Sequence, residues 1–245
     1  MIVSDLSQNF YYSTFVNDDR YFSLFGTKSQ GDGRNIKNII NFFQLQKIPV
    51  KKIILLDQIH SANVVFYSKR SENLIERISD CDGVITEEPL TALVVLTADC
   101  QPIIFVDKKK GLIGISHQGW RGSIKKLPQK MIEKMKNLGS DEENIIIAQG
   151  PAIGSCCYEV DNDRYYSFIE EFDGYSDKIF TFSKGKKYLN LSYLNYLQIL
   201  EKGVIKRNID FFPFCTFCQK KTFFSFRREK KQLAGEMINF ILKLS

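Results

Sequence analysis

Two histidines and one cysteine are the residues of this chain whose types and positions could do chemistry. The chain contains only two histidines, His60 and His117, and each follows a strand-like apolar run on either side of Cys100. Neutral imidazole and thiolate are ligands that Zn²⁺ prefers, and three protein ligands with a fourth position left open are typical of a catalytic zinc site. The three residues therefore favour a zinc centre.

Spacing alone leaves a second interpretation open. No two of these residues have the short ligand spacing of a zinc finger or of an HExxH helix. A histidine that stands alone is more often a packed or exposed residue than a ligand. A lone buried cysteine usually behaves as a small hydrophobic residue. Spacing alone therefore does not decide between a metal site and ordinary packing, and the neighbouring sequence motifs are needed to choose.

Composition indicates an ordinary globular protein. With 245 residues, 44% of them hydrophobic and 25% charged, the chain is long enough for one large domain, and we expect a single domain over residues 1–245. The net charge of +6 is scattered in short lysine groups without a recognition motif, so we expect no nucleic-acid partner. No apolar run approaches ~20 residues and no signal-peptide pattern is present, which predicts a cytoplasmic protein with no membrane partner.

The remaining cysteines have several interpretations. The chain has six cysteines, but its length and apolar content make a disulfide framework unnecessary, so we expect reduced thiols. Cys215 and Cys218 form a CxxC motif that could be half of a zinc site or a redox pair. No second CxxC or thioredoxin context accompanies it, which favours packing, and we expect Cys156 and Cys157 to be structural as well.

Strand-like and helix-like patterns alternate along the chain, which predicts an α+β domain with sheets between helices. The predicted strands are residues 51–56, 93–96, 112–116 and 145–148, with late aromatic strands at 211–218 and 222–226. The predicted helices are residues 124–138, one capped by Asp161 that extends to about Phe172, one capped by Asn190, and a closing helix at about 232–244.

A series of motifs between residues 57 and 230 carries a resemblance to a known family. In chain order they are DQIHSANVV (57–65), DGVIT (82–86), TADCQP (97–102), HQGWRG (117–122), GPAIG (150–154), CYEV (157–160), CTFC (215–218) and FFSFRR (223–228). Together they resemble the YfiH-like family, also called the laccase-domain family and formerly polyphenol oxidases, whose members are now described as purine nucleoside phosphorylases with several activities.

The resemblance implies that His60, Cys100 and His117 together bind the catalytic zinc. It also implies an αββα layered arrangement and reactions with adenosine, inosine, guanosine and methylthioadenosine. The chain departs from the family pattern at its amino-terminal end, where residues 12–20 stand in place of a Thr-Arg-x-Gly-Gly segment.

The old oxidase name can be tested by counting ligands. A blue-copper centre alone takes two histidines and a cysteine, and a multicopper oxidase needs further copper sites that two histidines cannot supply. Laccase chemistry is therefore not expected as the main function. The site could still bind copper adventitiously, because Cu²⁺ exceeds Zn²⁺ in affinity for most such ligand sets.

Our first hypothesis is a zinc-dependent purine nucleoside enzyme. Zinc in a three-ligand site lowers the pKa of water to about 7, and the hydroxide formed could attack C6 of adenine and release ammonia. Asp99 or Glu159 is the candidate for proton transfer. Phosphorolysis requires a phosphate held under C1′ of the ribose, for which Arg121 and Arg227 are candidates.

The arginines also have structural interpretations. Arg121 could equally pair with an acid in the core. Of Arg227 and Arg228, one could clamp phosphate through two hydrogen bonds while the other is solvated.

Two other classes of function remain open. In a cysteine hydrolase, Cys100 would be the nucleophile and His117 its base, acting on peptides or cell-wall precursors. This alternative leaves His60 without a role. A metal- or nucleotide-binding module without catalytic activity is the third hypothesis. The sequence leaves the oligomeric state open, a homodimer included.

Overall fold

The computed structural model describes all of the chain except residues 6, 8, 69–71 and 233. The strands of the described part are β1 (Ile2–Asp5), β2 (Phe10–Ser13), β3 (Tyr21–Phe25), β4 (Lys52–Leu56), β5 (Val64–Tyr67), β6 (Ile75–Ile78), β7 (Gly83–Thr86), β8 (Thr91–Thr97), β9 (Gln101–Asp107), β10 (Leu112–Gln118), β11 (Ile145–Gln149), β12 (Glu159–Val160), β13 (Phe180–Ser183), β14 (Lys186–Leu189), β15 (Ile209–Phe211) and β16 (Met237–Lys243). The α-helices are α1 (Ile36–Leu45), α2 (Trp120–Ile124), α3 (Leu127–Asn137), α4 (Asn162–Glu171), α5 (Ser176–Ile179), α6 (Leu191–Glu201) and α7 (Phe226–Glu229). Short 3₁₀ helices cover Lys28–Gln30, Glu142–Asn144, Asp173–Tyr175, Lys206–Asn208 and Lys230–Gln232. Within this described part, no helix is long and apolar enough to cross a bilayer.

Two large mixed sheets form the centre of the molecule. The first has the strand order β1-β2-β3-β16-β8-β4-β6 and the second β15-β11-β9-β10-β7-β5. Successive side chains of a strand point to opposite faces of its sheet. In β8, Leu93 and Val95 pack between the two sheets, whereas Ala92 and Val94 pack on the outer side. The three predicted strands that precede the chemical residues are therefore confirmed as β4, β8 and β10.

Helices cover both outer faces of the paired sheets. Helix α1 packs Ile39, Phe42 and Phe43 against the first sheet. Helix α3 packs Met131 on the second sheet, together with Ile199 of α6. The order of layers is thus helix, sheet, sheet, helix, and the predicted α+β fold with an αββα arrangement is confirmed.

The predicted helix over residues 124–138 is wrong at its start, because the segment forms two helices. Helix α2 ends at Ile124, and Lys126 then takes a left-handed conformation with φ of 60° before α3 begins. Pro128 has no N–H to continue a helical ladder and is favoured in a first turn.

The predicted helix ends and caps are confirmed. Gly139, the predicted stop of the first helical segment, has a φ of 94°. Asp161 and Asn190 cap α4 and α6 as expected.

The predictions for the last part of the chain are wrong. The predicted closing helix is strand β16, which pairs with β3 and β8 in the middle of the first sheet. Of the aromatic segments 211–218 and 222–226, only Phe211 belongs to a strand, as the last residue of β15, and Phe226 begins α7; the residues between them in each segment lie in loops. Their rings pack on one another rather than in a sheet, with Phe212, Phe223 and Phe224 around Met237.

Candidate metal centre and pocket

The fold brings His60, Cys100 and His117 together at one end of the two sheets. His60 lies in the loop after β4 of the first sheet, and His117 lies near the end of β10 in the second. Cys100 lies in the short turn that leads from β8 into β9 and so from one sheet to the other. Their ligand atoms all lie within 4.8 Å of one another, and the two imidazole rings are nearly perpendicular at 82°.

A buried carboxylate orients both histidines. Asp82 Oδ1 lies 2.8 Å from Nδ1 of His117 and also accepts the backbone N–H of His60 at 3.1 Å. Its other oxygen accepts the backbone N–H and the hydroxyl of Ser61. Because Nδ1 of His117 is hydrogen-bonded to Asp82, its Nε2 is the nitrogen that can bind a metal ion. Metal-binding histidines are commonly oriented by a carboxylate in this way.

The cysteine and histidine influence each other's charge. Burial alone would raise the pKa of the Cys100 thiol, but the charge of His117 and hydrogen bonds from both imidazoles lower it to about 7. Burial alone would lower the pKa of His117, whereas the Cys100 thiolate and the hydrogen bond with Asp82 raise it to about 10. The site therefore stabilises a thiolate, which is the form of cysteine that binds metal or acts as a nucleophile.

The geometry fits a tetrahedral zinc ion. Cys100 Sγ lies 3.9 Å from Nε2 of His60, close to the ~3.6 Å that tetrahedral zinc with ordinary bond lengths requires between such ligands. Gly119 leaves the space beside the ligands open. A Cβ atom placed on Gly119 would lie 2.6 Å from Cδ2 of His60 and 3.2 Å from Cys100 Sγ. The donor set and the absence of a side chain at this glycine both fit zinc.

The three residues lie in the wall of a pocket of about 740 Å³. Its lining is rich in cationic and aromatic side chains, namely Arg34, Arg77, Arg121, Arg164, Arg227, Trp120, Tyr158 and Phe226. Phe226 is 61% exposed, so one large apolar ring remains open to solvent at the pocket. Such a pocket suits a ligand that combines a planar apolar part with negative charge.

Asp99, a predicted proton carrier, is part of the pocket lining, and both of its carboxylate oxygens accept hydrogen bonds. It accepts hydrogen bonds from Thr216 Oγ1 at 2.6 Å, Ser225 Oγ at 2.9 Å and the backbone N–H of Arg227 at 2.7 Å. These bonds hold its backbone at a φ of 87°, which non-glycine residues rarely adopt. The carboxylate of Glu159, the other proton carrier considered, forms an ion pair with Lys186 outside the pocket lining.

The predicted arginines occupy different settings. Arg121 lines the pocket with its guanidinium 4.6 Å from the centre of the Trp120 ring. Arg227 also lines the pocket, lies over the Tyr158 ring and donates to the carbonyl of Glu159. Arg228 is instead a structural residue. Its guanidinium donates to the carbonyls of residues 216, 217 and 223.

Several residues of the pocket lining are not among those predicted from the sequence. Arg34 forms an ion pair with Asp32 and lines the pocket from a loop before α1. Arg164 reaches the pocket from α4 and lies 4.6 Å from the centre of the Trp120 ring. Glu236 lies just before β16, and burial raises the pKa of its carboxyl. None of these three residues lies in a sequence motif with His60 or His117, so the sequence alone does not connect them to the site.

Comparison with known proteins gives the family. Residues 14–243 match the family described as multi-copper polyphenol oxidoreductase laccase. The chain belongs to this YfiH-like, laccase-domain family. The crystal structure of YlmD from Geobacillus stearothermophilus superposes with a TM-score of 0.89 and 25% identity, covering 99% of this chain and 98% of that one.

Curated relatives within the YfiH-like family carry the names of enzymes. A purine nucleoside phosphorylase of Clostridium acetobutylicum is 32% identical over 244 residues, which is 92% of this chain and 93% of the relative. An adenosine deaminase, RL5, from an unknown prokaryotic organism is 28% identical over 187 residues, covering 74% of this chain and 71% of that protein.

Replacement of Gly119 by alanine tests whether the space at the ligands is required. Gly119→Ala should displace His60 or Cys100 and weaken zinc binding roughly tenfold or more, because the new Cβ enters the ligand cluster. Zinc affinity would be measured by competition with a chromophoric chelator. Gly174→Ala is the matched control, since a Cβ there has no neighbour within 4 Å. Equal zinc affinity in both variants would contradict the claim that zinc binding needs the open space beside His60 and Cys100.

Proposed function

We propose that this chain is a zinc-dependent purine nucleoside enzyme. It cleaves adenosine, inosine, guanosine and methylthioadenosine with phosphate, and it converts adenosine and water to inosine and ammonia. The observation that carries the proposal is the placement of His60, Cys100 and His117 in one wall of a pocket lined by arginines and aromatic rings. The phosphorylase and deaminase names of relatives support the same substrate class.

Each group of the pocket has a distinct part in this proposal. Bound zinc supplies Lewis-acid activation of water or of a polar substrate atom. The exposed ring of Phe226 provides a face for the purine base. Arg121 and Arg227 are the candidates to hold phosphate, since a guanidinium binds its oxygens through two parallel hydrogen bonds. Copper binding by the same ligands would be adventitious.

Glu236 is a better candidate for proton transfer than Asp99. Both oxygens of Asp99 already accept hydrogen bonds within the protein. Glu236 faces the pocket, and burial moves the pKa of its carboxyl upward, toward the range in which a group can exchange protons near neutral pH. We therefore assign Asp99 to positioning of the Cys100 turn and Glu236 to proton exchange with the substrate.

We also infer that residues 1–245 act as one domain. Strand β16 at the carboxyl end lies between β3 from the amino-terminal part and β8 from the middle of the chain. A strand shared in this way cannot be separated from either part without exposing the centre of the first sheet.

One observation also favours a cysteine hydrolase. The Cys100 thiol has a lowered pKa beside His117, as expected of a nucleophile and its base. This alternative does not explain why Asp82 also fixes the backbone of His60 beside the pair. A metal site uses all three residues, and for that reason the zinc enzyme is the function that we propose.

Metal removal separates the two functions. Treatment with the chelator dipicolinate should abolish release of both adenine and inosine from adenosine, and added zinc should restore both, because one metal serves one pocket. Products would be separated by liquid chromatography after incubation with and without phosphate. Full turnover by metal-free protein, lost on thiol alkylation, would identify Cys100 as a nucleophile. Failure to convert any of the four nucleosides would contradict the proposed substrate class.

Substitution of Arg227 tests the phosphate site. Arg227→Ala should raise the KM for phosphate about tenfold to hundredfold, because a hydrogen bond to a charged group contributes ~1.5–3 kcal/mol. Deamination of adenosine should change less, since it holds no added anion. Arg207→Ala, at an exposed position outside the pocket lining, is the control. Equal losses in both reactions would assign Arg227 to structure or to binding of the nucleoside.

A further inference from the structure

A second cluster of metal-binding side chains lies apart from the histidine site. Cys156 and Cys157 follow β11 in one loop, and Cys215 and Cys218 lie in the loop after β15. All four Sγ atoms lie within 4.8 Å of one another, although the two pairs are about sixty residues apart in sequence. All four are free thiols.

The sulfur positions match the size of one tetrahedral site. Cys218 Sγ lies 3.7 Å from Cys156 Sγ and 3.4 Å from Cys157 Sγ. Four thiolates bound to one zinc at the usual Zn–S length of ~2.3 Å lie about 3.8 Å apart along each edge of the tetrahedron. The two distances from Cys218 are therefore close to those that a single ion imposes, and the other sulfur atoms lie within 4.8 Å of one another.

A backbone N–H group donates to one sulfur atom of the cluster. The backbone N–H of Gly154 donates to Cys215 Sγ at 3.1 Å. Hydrogen bonds from the backbone to sulfur stabilise a bound thiolate and orient it toward the ion.

Apolar packing explains only half of this arrangement. Cys156 and Cys218 are exposed, and the other two cysteines are only half-buried. Cys157 and Cys215 contact an apolar cluster of the core, but packing gives no reason for Cys156 and Cys218 to lie at the surface beside them. A four-cysteine set is instead the usual ligand set of a structural zinc site.

We propose that Cys156, Cys157, Cys215 and Cys218 bind one structural zinc ion. This site has four protein ligands and no open position, so it takes no part in the chemistry of the histidine site. The proposal does not depend on the substrate or activity assigned to the pocket.

The proposed ion would join two loops that build the pocket. The loops already meet where the N–H of Thr216 donates to the carbonyl of Ala152 at 3.0 Å. Thr216 also donates to Asp99, which precedes the candidate ligand Cys100. Ile153 and Tyr158, which flank the first cysteine pair, line the pocket. Zinc at the four cysteines would therefore stabilise one wall of the pocket from behind.

Zinc content of the full-length protein tests the proposal. Protein purified under reducing conditions should contain about two zinc ions per chain by elemental mass spectrometry. Cys100→Ser should lose the zinc of the histidine site and keep the zinc of the four cysteines. The double variant Cys156→Ser/Cys218→Ser should lose the zinc of the four cysteines and keep the other. Cys81→Ala is the control, because Cys81 is buried and belongs to neither cluster, and it should retain both ions.

A cobalt titration of the Cys100→Ser protein keeps the test independent of how the double variant folds. Cobalt(II) should give the intense sulfur-to-metal charge-transfer absorption and the visible bands of a tetrahedral thiolate site. Absence of both zinc and this absorption in Cys100→Ser would overturn the proposal. A disulfide among the four cysteines in the reduced preparation, or iron in place of zinc, would overturn it as well.

Discussion

The carboxylate of Asp82 is the constraint on which the candidate metal centre depends. It is fully buried, and its oxygens accept from Nδ1 of His117, the N–H of His60, and the N–H and hydroxyl of Ser61. These bonds hold His60 at a φ of 57°, which a histidine rarely adopts. They also leave Nε2 of His117 for a metal. A single buried charge thus fixes two ligands from different sheets.

Asp99 has the corresponding role on the other side of the site. Its carboxylate ties the turn that carries Cys100 to Thr216, Ser225 and the backbone of Arg227. The candidate metal ligand Cys100, the pocket residue Arg227 and the loop of the four-cysteine cluster are therefore connected through one side chain. Both carboxylates lie where the chain crosses between sheets, and a buried charge is stable there only because several donors satisfy it.

Local patterns predicted the parts of the structure that depend on local sequence. The strands before His60 and Cys100 are apolar runs, and the caps Asp161 and Asn190 satisfy N–H groups two or three residues away. The sequence of β16 does not distinguish a strand from a helix, because the strand is buried on both faces and a short apolar run without alternation has no diagnostic period.

The pocket residues Arg34 and Glu236 and the ligand-orienting Asp82 could not be predicted in these roles, because distant loops bring them to the site. The same is true of the pairing of the cysteine-containing loops. The two histidines, through their scarcity, and Cys100, through its position between them, mark the site in the sequence. Asp99, Arg121 and Arg227 were also predicted, because they lie in motifs next to or after these residues, and all three line the pocket.

Anomalous diffraction at the zinc absorption edge tests the central claim most directly. Crystals of the protein grown without chelator should show an anomalous peak about 2.0–2.1 Å from Nε2 of both His60 and His117 and about 2.3 Å from Cys100 Sγ. The peak should be present in crystals without nucleoside, because the ligands are already assembled. Protein crystallised with zinc in solution that shows no peak at these three atoms would contradict the account.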